Sequence, residues 1–109
     1  MSTPLLLILC TVPDRETALA LSKTLVEQGL AACVNVTTPV TSIYQWQGQL
    51  EQSEETLLLI KTTKKQYLNV ESVLRTEHPY ELPEIIAVPV EQGLNGYLNW
   101  VERCTNTKA

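Results

Sequence analysis

The sequence predicts an α+β domain of the ferredoxin-like βαββαβ type, extended by a long β-hairpin and a C-terminal helix. Three observations predict it. Apolar strand-like runs alternate with helical stretches in the order βαββαβ, and a third helical stretch closes the chain. Gln47-Gly48 stands between two alternating segments as a two-residue turn. His78-Pro79-Tyr80-Glu81-Leu82-Pro83-Glu84 then leads into the last apolar run as a proline-stiffened connection. The chain has 109 residues, 44% hydrophobic and only 18% charged, which suits one globular domain over residues 1–109.

Leu5 to Val12 is continuously apolar, the pattern of a strand central in its sheet. No basic stretch precedes it, and Leu9 stands where a signal-peptide cleavage site needs a small residue, so it reads as a strand. Pro13-Asp14-Arg15-Glu16 opens a helix with Asp14 as N-cap, and Ala18, Leu21, Leu25 and Val26 form its apolar stripe up to Gly29. Ala31 to Trp46 alternates through Ala32, Val34, Val36, Val40, Ser42, Tyr44 and Trp46. Thr37-Thr38-Pro39 interrupts it, a bulge or an edge because proline cannot donate to a ladder. The return strand passes Glu55 and Leu57-Leu58-Leu59-Ile60 to Lys61 or Thr62. A second helix covers Lys64 to Glu77, with Tyr67, Val70 and Leu74 on one face and Leu68 and Val73 beside it. A strand from Glu84 to Val90 follows, and Tyr97, Leu98, Trp100, Val101 and Cys104 mark the closing helix.

Two consequences follow from that topology. The first strand lies between the third and the last, so Cys10 comes near Glu84 and the loop of His78, the only histidine. The hairpin arms, at about 14 residues each, far exceed a typical strand, and two helices cannot cover them. Their outer part would expose Val40, Ile43, Tyr44, Trp46 and Leu50 beside an open edge. Burial against further copies of the chain is expected, with Tyr44 and Trp46 in the interface.

Composition excludes several classes. The net charge of −4 and the scattered lysines and arginines give no footprint for nucleic acid or an anionic membrane. No run reaches transmembrane length, and a cytoplasmic protein is expected. Cys10, Cys33 and Cys104 lack the spacing of a structural zinc site or a disulfide framework and read as reduced, buried thiols. The four glycines are isolated, so no phosphate-cradling loop is present. No catalysis is expected.

Ala31-Ala32-Cys33-Val34-Asn35, Ser42-Ile43-Tyr44-Gln45-Trp46-Gln47-Gly48, Leu59-Ile60-Lys61-Thr62 and the His78–Ile86 segment resemble the CutA family, the divalent-cation tolerance proteins. Cys10-Thr11-Val12-Pro13-Asp14 and Tyr97-Leu98-Asn99-Trp100 do so as well, and the match runs from Leu7 to Val101. The resemblance implies a homotrimer of ferredoxin-like subunits, akin in shape to the PII-type signalling trimers, and an association with copper and other divalent metals. It also implies a metal site built on Cys10 and His78. The family's other histidine position holds Glu77 here, a departure that weakens copper(I) or zinc capture.

The candidate metal set is therefore Cys10, His78 and Glu77 for copper or zinc, with no metal required for folding. Tyr80, Glu81, Glu84 and Lys61 are the further candidates for an intersubunit cleft. Two rival readings remain: a PII-like signalling or scaffold trimer taking a small ligand or a protein partner in that cleft, and an enzyme resembling the acylphosphatases. The latter needs backbone amides and an arginine after the first strand, where Thr11-Val12-Pro13-Asp14-Arg15 offers a proline and a repelling acid.

Overall fold

The structure is a computed structural model that describes residues 4–105. Its elements run β1 (Leu5–Val12), α1 (Arg15–Glu27), β2 (Cys33–Val36), β3 (Val40–Trp46), β4 (Gln49–Thr63), α2 (Tyr67–Glu77), β5 (Ile85–Pro89) and α3 (Asn95–Thr105). The sheet is antiparallel in the order β2-β4-β1-β5, with β3 paired to the outer part of β4. This is the ferredoxin-like arrangement expected from the sequence, with β1 central and the hairpin reaching beyond the sheet.

Local chemistry sets the boundaries. Asp14 caps α1, its Oδ1 accepting from the Thr17 amide at 2.7 Å, and this bond holds its carboxyl below the usual carboxylate range. Ser22, not Val26, completes the buried stripe of α1, and Val26 stays exposed. The second helix starts later than its apolar period suggests, because Lys64–Gln66 form a 3-10 turn first. Its buried residues are Val70 and Leu74, whereas Leu68 is exposed. The last strand begins at Ile85 and ends at Pro89, one residue inside the expected limits at each end.

One face of the sheet makes the core. Ile8, Cys10, Val12, Leu58 and Ile60 pack against Ala18, Leu21 and Leu25 of α1 and Val70 and Leu74 of α2. At the far end of the sheet, Val101 of α3 closes over Leu5 and Ala32, and Gln66 Nε2 donates to the Thr105 carbonyl at 2.8 Å. The opposite face carries Leu7, Leu9, Leu57 and Leu59, all half-buried, with Ile86 and Val88 exposed. We call this the open face. Cys33 lies on it, paired with Lys61, and like Cys104 it is half-buried instead of buried.

The Thr37–Pro39 interruption is a register change. Val36 pairs with Leu58 while Val40 pairs with Glu55, so four steps on one strand oppose three on the other. Side chains alternate with period two, so one extra residue turns the following set to the other face. Val34 and Val36 thus point to the helices, whereas Val40, Ser42, Tyr44 and Trp46 share the open face with Glu55 and Leu57. Thr37 bridges the break: its amide donates to the Leu57 carbonyl and its Oγ1 accepts from the Leu57 amide, both at 3.1 Å.

Candidate functional site

The site forms where β1 ends, β3 and β4 leave the sheet, and the proline loop crosses from α2 to β5. Pro79 forces His78 out of helical geometry, and His78 is extended at φ −77°, ψ 136°. That conformation carries its ring, 8% exposed, under the loop. Nε2 lies 2.7 Å from the Thr11 carbonyl, and Nδ1 accepts from the Tyr80 amide at 3.1 Å. A carbonyl only accepts and an amide only donates, so the ring is the neutral Nε2–H tautomer. The Tyr80 ring packs against it, tilted by 46°, with centroids 4.7 Å apart.

Tyr80 carries the loop on to the hairpin. Its hydroxyl donates to Glu55 Oε2 at 2.9 Å, and burial, that bond and the Glu55 charge push its pKa up to about 12. Glu55 itself is 7% exposed. Below the loop lies a cleft of about 830 Å³, lined on one side by Ser42, Ile43, Tyr44, Trp46 and Glu55. Thr11 and the loop residues 79–84 complete it, with Glu81 and Glu84 both exposed. The Tyr44 hydroxyl is also 3.4 Å from Ser53 Oγ across the hairpin. Among the described residues no basic side chain lines the cleft.

Cys10 sits beside this site, register-paired with Ile85, as the topology predicts. Its side chain faces the helix core and is fully buried. Burial first, then the charges of Glu84 and Glu55, push the thiol from 9.0 up to about 12. It is therefore protonated at neutral pH, and a thiol binds soft metals only as thiolate. His78 has both ring nitrogens engaged, and Glu77 is exposed at the end of α2. Among the described residues no three His, Cys, Asp or Glu side chains are placed to hold one ion. Cys10, His78 and Glu77 thus come near one another in the chain's path without forming a ready ligand shell.

The other candidates separate into two groups. Tyr80, Glu81 and Glu84 line the cleft with Tyr44 and Trp46. Lys61 does not: it lies six residues from Glu55 along β4, about 20 Å at strand spacing, and its Nζ donates to Asn35 Oδ1. The turn after β1 provides no anion cradle, since Asp14 occupies the N-terminus of α1 with its own carboxylate. Sequence reasoning passed over Glu55. The available signal was its position in the alternation Glu55, Leu57, Leu59, an acid on an otherwise apolar stripe.

A family model described as CutA1 divalent ion tolerance protein matches residues 6–104. The chain belongs to the CutA1 family. The divalent-cation tolerance protein CutA of Thermus thermophilus is 44% identical over 98 residues, covering 90% of this chain and 95% of that protein. Protein CutA of Mus musculus is 42% identical over 97 residues, which cover 89% of this chain and 55% of that longer protein. The fold agrees as well. The CutA structure from Archaeoglobus fulgidus, described as a periplasmic divalent cation tolerance protein, superposes with a TM-score of 0.90 at 34% identity over 93% of this chain and 98% of that one.

Proposed function

We propose that this chain works as a non-catalytic homotrimer with a role in divalent-cation tolerance, its subunits joined through the open faces and the hairpins. The open face carries the reading: Ile86 and Val88 are 51% and 43% exposed beside half-buried Leu7, Leu9, Leu57 and Leu59. The hairpin adds Ile43, Leu50, Tyr44 and Trp46 to the apolar surface. The subunit's accessible area of 7141 Å² exceeds the roughly 6,000 Å² of a compact monomer of 12.2 kDa. A surface this apolar is stable in water when copies cover it.

In this reading copper and other divalent ions meet the assembly without a prebuilt Cys10–His78–Glu77 centre, since capture there requires Cys10 to leave the core and His78 to give up a hydrogen bond. Native mass spectrometry of metal-free protein, before and after limiting Cu(II) or Zn(II), tests both parts. The expected spectrum is a trimer that holds these ions loosely and responds little to Cys10→Ala. A monomer overturns the assembly, and one tightly held ion per subunit that disappears in Cys10→Ala overturns the metal part.

A second reading is favoured by the cleft under the proline loop: a trimer that takes a small ligand there, as PII-type proteins do. The cleft volume lies within the range of small-molecule sites, and its walls combine aromatic faces with a few convergent polar groups.

A further inference from the structure

The open face holds a lysine whose counter-charge is missing from its own subunit. Lys61 is the one basic residue in the described strands, and it continues the stripe of Leu57 and Leu59 along β4. It pairs in register with Cys33 of the edge strand β2. Lys61 is half-buried, and its Nζ donates to Asn35 Oδ1, a neutral partner. No carboxylate pairs with it among the described residues. Near the opposite edge of the sheet, Glu84 precedes β5, and the alternation that places Ile86 and Val88 on the open face places Glu84 there too.

Covering this face changes what Lys61 requires. An ammonium group withdrawn from water is costly without a counter-charge, and Asn35 supplies only a dipole. Within one subunit Lys61 and Glu84 stay apart. Lys61 is level with Leu7, and Glu84 stands one step past the Cys10–Ile85 pair, so they differ by four residues along the sheet, about 13 Å. The strand β1 also lies between them. The counter-charge of Lys61 therefore comes from another copy. In a cyclic trimer every contact is heterologous, two different patches meeting in turn around the axis. Each open face then has two neighbours, one against its β2–β4 half and one against its β1–β5 half. Lys61 belongs to the first half and Glu84 to the second.

We propose that Lys61 of one copy forms an ion pair with Glu84 of the next, so that each cleft is completed by a lysine from the neighbouring subunit. This deepens the assembly reading and rests on it. The pair gives the ring its direction, because the basic half of one face fits only the acidic half of another. The different heights of Lys61 and Glu84 also require neighbouring sheets to cross at an angle, as twisted sheets packed face to face do.

A charge swap in the full chain tests the pair. Light scattering across a dilution series reads assembly, and far-ultraviolet circular dichroism follows the fold. Lys61→Glu and Glu84→Lys each set like charges against one another and should weaken the trimer at least about a hundredfold. The double variant Lys61→Glu/Glu84→Lys restores an attractive pair and should assemble within about tenfold of the natural chain. Carbodiimide coupling of the natural chain reads the same contact without substitution. It joins Lys61 Nζ to the Glu84 carboxyl as an amide, the lost water converting the carbodiimide to a urea. The product should be a covalent dimer or trimer that yields a linked Lys61–Glu84 peptide. A monomeric natural chain overturns the assembly and the pair together. A trimer indifferent to both reversals, or one that the folded double variant fails to restore, overturns the pair and leaves the assembly standing. Should the reversals unfold the subunit, a natural trimer that gives no Lys61–Glu84 link overturns the pair.

Discussion

At Cys10 and His78 the chemistry of the side chains is decided by what surrounds them. The His78 ring ties the end of β1 to the proline loop, Nε2–H on the Thr11 carbonyl and Nδ1 under the Tyr80 amide. An imidazole spent on two backbone groups is a brace. The Cys10 thiol, pushed from 9.0 to about 12 by burial and by Glu84 and Glu55, keeps its proton in the fold where the unfolded chain would lose it. Between these values the unfolded state binds fewer protons, so stability falls as pH rises from 9 toward 12, and is fully present below 9. The loss attributable to this thiol reaches at most about 4 kcal/mol. Tyr80 is raised too and acts in the same direction, so the comparison must isolate the sulfur. Melting temperature measured against pH should fall less steeply over that window in Cys10→Ala than in the natural chain. Equal slopes would place Cys10 outside the core. The proximity of Cys10 to the His78 loop was legible in the sequence, through topology alone. The inward turn of the thiol and the bond from the imidazole to Thr11 were not, because both depend on the packing of distant segments, the bond on two residues 67 positions apart.

The hairpin shows what an element takes from its own sequence. Gln47 and Gly48 have φ of 53° and 80°, the pair of positive values that a type I′ turn demands. Nothing lies within 4 Å of a side chain added at Gly48, so Gly48→Ala meets no clash and pays only for its backbone conformation. We expect a loss of about 1 kcal/mol from that substitution, read from denaturant unfolding, with the oligomeric state unchanged. A loss several times larger would mean that the hairpin tip is packed against another subunit. The turn, the N-cap at Asp14 and the break at Thr37–Pro39 were all marked by residue type. The side of the sheet that Tyr44 and Trp46 face was not, since it turns on one extra residue opposite Leu58 and Glu55.

Over the whole molecule the unanswered surface is the open face. The subunit measures 44 × 27 × 23 Å, and its long axis reflects strands that outrun their helices. Ile86 is 51% exposed within the subunit, so Ile86→Lys should leave each subunit folded. In the proposed assembly the same lysine is buried without a partner, at a cost of several kcal/mol per site. Light scattering on the eluting protein should therefore show Ile86→Lys dissociated, with the far-ultraviolet circular dichroism of the folded chain retained. A variant that remains trimeric would move the interface away from this face.

The order of elements, the central place of β1, the hairpin turn and the membership of the chain in its family could all be read from the residues in line. These follow from period, turn chemistry and contiguous motifs, which are local properties. The packed chain was needed to show which acids face the cleft, that His78 is braced on both nitrogens, that Lys61 lies along β4 away from Glu55, and that the Tyr80 hydroxyl donates to Glu55. Each of those depends on register, loop path and burial, and these are fixed when distant segments pack against one another.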